Sequence, residues 1–327
     1  MTDAGSHLVA GIDVGGTKIL ARVLDPDDRR RSVCEVRADT PRGAEAITGA
    51  LVGVVRELQV QLRRGGRGDL AAVGLGIAGL VDRGGVLRFA PNLPGVVGYG
   101  AGDPLRAATG LPVAVDNDAN CATVAEHRIG AGRGSDDVVL VTLGTGIGGG
   151  MIVGGALQRG AAGFAGEPGH MVVDPNGPPC PCGRRGCWER YASGSGLGRL
   201  ARDAADAGRA RAVVARAGGD PEDVRGEHVT RAAADGDPEA LAVLRDFAWW
   251  VALGVSNLEN LLDPEVVVIG GGLAEAGELL LAPTRDAYAT LVLGYEHRPP
   301  VRIVGAALGK DAGAIGAGLL ALDLLDA

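Results

Sequence analysis

Lysine is nearly missing from this 327-residue chain: Lys18 and Lys310 are the only two, and arginine supplies the rest of its 32 basic residues. Against 40 acidic residues they leave a net charge of −8. No basic stripe of the kind that holds a nucleic-acid backbone stands out, which argues against a dedicated nucleic-acid binder. The arginine excess, beside heavy alanine and glycine use, is a composition bias. Also missing is any apolar run near the roughly 20 residues that cross a bilayer. The opening MTDAGSHLVAGID carries an acidic residue early and no uninterrupted apolar stretch, so it does not read as a secretory signal. No membrane partner and a cytoplasmic location are the expectation. Low-complexity linkers are absent too, Gly218 to Gly226 being merely loop-like. Cysteine is sparse, at five residues, and in a reducing compartment a tight cluster among them suggests a metal before a disulfide.

What is present is material for an interior. Hydrophobic residues make up 46% of the chain, enough to exclude wholesale disorder, and the length favours two domains over one core. His7 to Leu24 reads as strand, glycine turn, strand, and Asp137 to Val153 repeats that grammar, which suggests a duplicated nucleotide-binding core. Ala44 to Leu62 has helical apolar spacing through Ile47, Leu51, Val54, Val55 and Leu58. Buried strands are expected at Ala71–Gly79 and Pro112–Asp118, and Asp237-Pro238 and Asp263-Pro264 frame a long helix. EVVVIGGGLAEAG reads as a strand entering a triple glycine and then a helix. The alternation predicts an α/β architecture with mixed sheets.

Three clusters carry chemistry. In DVGGTK, small residues let backbone amides approach an anion; Thr17 adds a hydroxyl, and Asp13 at the strand end is placed to hold hydrated Mg²⁺. A tight turn without a ligand is the plain alternative. Neither this turn nor Gly144-Thr145-Gly146-Ile147-Gly148 matches G-x-x-x-x-G-K-[ST] or opens a helix in the dinucleotide pattern. Two such turns in one chain nevertheless suit a polyphosphorylated ligand such as ATP, and Gly270-Gly271-Gly272 suits close approach by a base or ribose. Second, Asp116-Asn117-Asp118-Ala119-Asn120 follows a buried strand, where ligands of α/β folds gather. Helix capping would explain an Asx-rich segment, but capping and catalysis need different residues, and several are offered. Asp118 is the candidate general base for a hydroxyl attacking phosphorus, with Asn117 fixing a sugar. Third, His170 with Cys180, Cys182 and Cys187 matches a closed structural zinc site of the Cys₃His type, and Gly183 and Gly186 permit its sharp turns. The metal would pin His170 and hold Glu167 and Glu189 near a sugar. Cys34 and Cys121 stand apart as buried thiols.

Taken in order, DVGGTK, PNLPG, DNDAN, LGTGIGGG, EPGH, CPCGRRGCWE and LGKDAG resemble the ROK family (repressors, open reading frames and kinases), nearest its bacterial glucokinase group. The resemblance covers nearly the whole chain. It implies an actin-like, ribonuclease-H-like ATPase fold of two α/β domains flanking a cleft. Residues 1–118, completed by a helix at about 310–327, would form the small domain, and 119–309 the large domain with its zinc loop. It implies phosphorylation of D-glucose at O6 from ATP with Mg²⁺, a structural Zn²⁺ and a homo-oligomer, dimer or tetramer. By the same resemblance Asp118 is the base; Asn92, Asn117, Asp118, Glu167, His170 and Glu189 bind the sugar. Asp13, Gly15, Gly16, Thr17, Lys18, Gly144, Thr145, Gly146, Gly270, Gly271 and Gly272 hold the nucleotide. Two departures lie near the sugar pocket: that group commonly reads N-L-x-G-W after the proline, whereas here Pro94-Gly95 leads to Val96-Val97, and Pro168 stands where Ile or Phe is frequent. They keep other hexoses open as substrates: N-acetylmannosamine, N-acetylglucosamine and fructose. Polyphosphate also stays open as a donor. A sugar-responsive repressor of the family would carry a helix-turn-helix before the first turn, and only 12 residues precede Asp13 here.

Overall fold

The computed structural model describes residues 7–93 and 95–326. Pro94 of the PNLPG motif, the first six residues of the opening segment and Ala327 lie outside the described residues. The chain begins with β1 (Val9–Val14), β2 (Lys18–Leu24), β3 (Ser32–Asp39), α1 (Ala44–Arg64) and β4 (Ala72–Ile77). Short strands β5 (Leu80–Val81), β6 (Val86–Phe89) and β7 (Tyr99–Gly100) lead to α2 (Gly102–Thr109), β8 (Val113–Asn117) and α3 (Asp118–Ile129). Then come β9 (Val138–Leu143), β10 (Ile147–Val153), β11 (Ala156–Leu157), α4 (Glu189–Ala192), α5 (Gly194–Asp206), α6 (Arg211–Arg216) and α7 (Gly226–Ala234). The chain continues through α8 (Pro238–Leu262), β12 (Val266–Gly270), α9 (Glu278–Leu291), β13 (Arg302–Gly305) and α10 (Ala312–Asp326).

Two five-stranded sheets share one plan. The first runs β3-β2-β1-β4-β8 and the second β11-β10-β9-β12-β13. In the first, β1 is antiparallel to β2 and parallel to β4, which is parallel to β8. In the second, β9 is parallel to β12 and β12 to β13. The repeat heard in the two glycine hairpins is therefore a repeat of sheet topology. A three-stranded sheet, β5-β6-β7, stands apart from both and had no counterpart in the sequence reading.

By their contacts the residues fall into two units: Met1–Gly134 with Gly150–Gly166 and Lys310–Ala327, and Ser135–Gly149 with Glu167–Gly309. This grouping differs from the 1–118 and 119–309 division expected from sequence. α3 falls in the first unit because it packs along α10 and against β4 and β8. The helix α10 lies so close to its sheet that a Cβ on Gly11 or Gly74 would overlap the backbone carbonyls of Ala314 and Ala317. Only glycine allows that approach. On α1, which packs on β2 and β3, the expected residues Ile47, Leu51, Val54, Val55 and Leu58 are buried, together with Leu62.

In the second unit α8 begins where Asp237 accepts from the Ala240 amide at 2.8 Å and Pro238 occupies the first helical position. It ends at Asp263, in the left-handed region at φ 47°. Its Gly254 faces Trp188, which is fully buried and donates from Nε1 to the Trp250 carbonyl at 2.7 Å. Tyr191 stacks on Trp250 with ring centroids 4.0 Å apart. The segment carrying the third cysteine of the cluster is thereby fastened to the longest helix. Among the described residues no helix is long and apolar enough to cross a membrane.

Candidate active site and metal centre

In the first unit, the strand β8 hands over to α3 at Asn117 and Asp118. Asn117 is the cap: its Oδ1 accepts from the Asn120 amide at 2.9 Å, and its Nδ2 donates to the Gly79 carbonyl at 2.9 Å. Capping and the acid are thus separate residues. Asp118 opens the helix, half-buried, with Oδ1 accepting from the Ala119 amide at 2.9 Å. Burial pushes its pKa up, and the hydrogen bonds from the Ala119 and Asp118 amides and from Asn117 oppose that rise. At the end of β1, Asp13 is pushed up to about 7, by burial first and by the Asp118 carboxylate second. Two carboxylates with raised pKa values at the ends of β1 and β8, with only β4 between them, form the arrangement that acid–base and cation chemistry uses.

The first glycine turn beside them is closed by the Gly15 amide donating to the Lys18 carbonyl at 3.0 Å. Thr40 braces it, its hydroxyl donating to the Gly15 carbonyl at 2.8 Å. Gly16 lies against Asn92, where a Cβ would stand 2.8 Å from the Asn92 carbonyl oxygen, while Thr17 and Lys18 are exposed. Asp13, Gly15, Gly16, Thr17, Lys18, Asn92, Asn117 and Asp118 all belong to this unit.

In the second unit, the turn Gly144-Thr145-Gly146 is held by the start of α5. The Gly194 amide donates to the Gly144 carbonyl at 2.7 Å, and the Ser195 hydroxyl donates to the Thr145 carbonyl at 3.0 Å. Gly270 ends β12. At Gly271, with φ 80°, a Cβ would overlap the backbone of Leu143, so the ends of β9 and β12 can meet only through glycine. Gly144, Thr145 and Gly272 open onto one cavity of about 1130 Å³. Two of the three glycine segments expected to hold a nucleotide are therefore brought together within this unit. Leu273, Ala276 and Leu279 give the cavity an apolar wall fit for a flat base, and Arg190, Arg199 and Arg225 give it positive charge. Sequence reading missed those arginines: with 32 basic residues, almost all arginine, no single one carries a local signal.

The four predicted metal ligands also converge. One ligand atom from each of His170, Cys180, Cys182 and Cys187 lies within 4.8 Å of every other. The Sγ atoms of Cys182 and Cys187 are 3.5 Å apart, and Cys180 Sγ is 4.0 Å from His170 Nδ1. Ligands on a tetrahedral ion with Zn–S bonds of about 2.3 Å stand about 3.8 Å from one another, so these residues fit such an ion with little movement. Glu189 touches the cluster and the glycine turn together: its Oε1 accepts from Cys180 Sγ at 3.2 Å, and its Oε2 reaches the Ile147 amide at 3.4 Å. Glu167 precedes the 3₁₀ turn Pro168–His170, and its carbonyl accepts from the His170 amide at 3.2 Å. Pro168, a departure noted in the sequence, is the first residue of that turn, where its fixed φ is already suitable. Glu167, His170 and Glu189 fall in the second unit, apart in the chain from Asn92, Asn117 and Asp118 in the first.

Two α/β units on one strand plan, each with a glycine hairpin at its central strand, define the class: the actin-like ATPase fold. Residues 9–324 match the ROK family, and the chain belongs to it. A glucokinase of Streptomyces coelicolor is 41% identical over 321 residues, spanning 96% of this chain and 97% of its own. The crystal structure of a ROK glucokinase from Streptomyces griseus, in complex with glucose and AMPPNP, is 41% identical. It superposes with a TM-score of 0.84 over 97% of this chain and 99% of that one. An N-acetylmannosamine kinase of Shigella flexneri is 32% identical, spanning 92% of this chain and 97% of its own.

Proposed function

We propose that the chain is an ATP-dependent glucokinase that transfers the γ-phosphoryl group to O6 of D-glucose. The observation that carries the reading is the Asp118 carboxylate, seated at the first helical position of α3 and relieved of capping by Asn117. A carboxylate with a raised pKa is a stronger base when ionised, and Asp118 takes the O6 proton as the hydroxyl attacks phosphorus. Asn92, Asn117, Glu167, His170 and Glu189 hydrogen-bond the other hydroxyls, a set in which each missing hydroxyl leaves a polar group of the site unmatched. The turns at Gly15–Lys18 and Gly144–Gly146 offer amides to the phosphates, and Gly270–Gly272 lies along the nucleoside. Asp13 holds Mg²⁺ bound to ATP; the cation's charge favours its ionised form against the burial that raises it. Zn²⁺ on His170, Cys180, Cys182 and Cys187 supplies structural cross-linking and, with four protein ligands, leaves no position for a reacting water. In this reading the enzyme is cytoplasmic and works as a dimer or tetramer, without nucleic-acid or membrane partners.

A second reading, phosphorylation of N-acetylmannosamine, is supported by the similarity to an N-acetylmannosamine kinase, and Pro168 and Val96-Val97 depart from the glucokinase pattern near the sugar without choosing among the hexoses. A coupled assay crossing glucose, N-acetylmannosamine, N-acetylglucosamine and fructose with ATP, GTP and polyphosphate separates the two. Glucose is expected to lead with ATP; glucose as the poorest hexose overturns the choice. Asp118→Asn is expected to keep glucose binding and to lose about 10²–10⁴-fold in turnover, the span of general-base removal. Near-wild-type turnover refutes the base.

A further inference from the structure

We propose that Arg159 is a positioning residue for the base: clamped to Asp116, it fixes the strand-to-helix corner that aims Asp118. This rests on the kinase reading above. Asp116 is 5% exposed, and every bond its carboxylate makes bears on this corner. Oδ1 accepts from the Asn117 amide at 2.8 Å and from Asn120 Nδ2 at 2.9 Å. Those two residues bracket Asp118, and Asn117 in turn caps α3 and reaches the Gly79 carbonyl. Oδ2 accepts from Arg159 Nε at 2.6 Å, a charge-assisted contact. Without the guanidinium the carboxylate loses the partner that sets its rotation, and the two Oδ1 bonds rotate with it.

Arg159 is itself held. It sits in the loop after β11, where its carbonyl accepts from the Ala165 amide at 3.1 Å. Arg83, beyond β5, donates from Nε to the Gly160 carbonyl at 2.7 Å and from its amide to the Ala162 carbonyl at 3.2 Å. The clamp thus connects the base's corner to a braced loop about 40 residues along the chain, a distance the ordinary reach of local contacts does not cover. The charged and titratable groups of the corner are Asp13 on β1, Asp116 on β8, Asp118 and Cys121 on α3, and Arg159. The helix α10 faces Asp13 with Gly313, which carries no charge. Arg159 brings the positive charge to these acids. The pair is also asymmetric: the Arg159 side chain is 36% exposed and that of Asp116 7%. Deleting the arginine strands a buried carboxylate, whereas deleting the acid leaves a guanidinium that water can reach.

The test uses the full chain with glucose and ATP, in wild type, Arg159→Met, Arg159→Lys, Asp116→Asn, the double variant Asp116→Asn/Arg159→Met, and Asp118→Asn. Arg159→Met is expected to lower kcat about 10- to 100-fold, the scale of a small misplacement, with glucose KM changed less than about threefold. Loss of a cation beside acids raises their pKa, so the acid limb of kcat/KM moves up by about half to one pH unit. Asp116→Asn keeps the Oδ1 acceptor for both of its bonds and loses less. The double variant, with no stranded charge, returns the limb to its wild-type pH, as does Arg159→Lys. An unmoved limb with wild-type kcat in Arg159→Met overturns the proposal. So does a fall in kcat matched by the fall in active-site titre, with the limb unmoved in every variant, since that is a folding effect. If Arg159→Met does not fold, Asp116→Asn and Arg159→Lys decide: wild-type kcat and limb in both overturn it. Asp118→Asn separates the layers. Its retention of turnover sinks the base and this proposal together, while its inactivity beside an unaffected Arg159→Met sinks the positioning role alone.

Discussion

Replacing Asp13 by asparagine is expected to abolish most turnover and yet to stabilise the fold, and the size of that gain follows from the corner it occupies. Burial, and then the Asp118 charge, push the Asp13 carboxyl from its usual 3.8 to about 7. Keeping it ionised at pH 8 opposes folding. A rise of about 3 pH units at 1.36 kcal/mol each sets a ceiling of about 4 kcal/mol. Asp13 is only half-buried, so solvent screening brings the expected gain to about 1–2 kcal/mol. The direction with pH is fixed by linkage. The folded state binds this proton more tightly than the unfolded chain, so the proton's stabilisation is fully present below pH 3.8 and is lost as pH rises through about 7. Asparagine does not titrate. The variant's advantage is therefore largest near pH 8 and shrinks toward pH 5. Urea unfolding of wild type and Asp13→Asn, at both pH values and without nucleotide or Mg²⁺, reads the gap directly. A variant less stable than wild type at pH 8, or a gap equal at the two pH values, refutes the reasoning.

Cys180→Ser is expected to reduce bound zinc, measured by elemental analysis, from about one ion per chain to well below that, and to lower the thermal midpoint. Metal-free protein of unchanged stability dismisses the zinc assignment. Gly254→Ala drives a methyl group into the Trp188 ring and is expected to cost about 2–3 kcal/mol in denaturant unfolding. An unchanged midpoint would mean that Trp188 is not seated against α8.

Local chemistry was legible in the sequence, and long-range geometry was not. The two glycine hairpins, the apolar stripe of α1 and the Asp237-Pro238 start of α8 each announce themselves within a few residues, because turn, period and cap are short-range properties. The convergence of His170 with the three cysteines was legible for a related reason: Cys180, Cys182 and Cys187 lie within eight residues, and thiols so crowded have few other uses. The division of labour at Asn117 and Asp118 was half legible. Sequence named both residues, but only the structure shows which one caps. The clamp from Arg159 to Asp116 left no trace, since it joins two unremarkable residue types across a long stretch of chain. The arginines around the cavity at Gly144, Thr145 and Gly272 were hidden by arginine's abundance. The strands β5, β6 and β7 were missed because each is short, and two of the three have only two residues.

The seat of α10 against Gly11 and Gly74 has a consequence for synthesis. The backbone that meets those glycines, at Ala314 and Ala317, is made long after Gly11 and Gly74 themselves. At ribosomal speeds of about 5–20 residues per second, the roughly 180 residues between α3 and α10 take about 10–40 seconds to emerge. Until α10 follows, β1 and β4 lack the helix that packs on them, so the first sheet's packing waits on a segment made long after its strands.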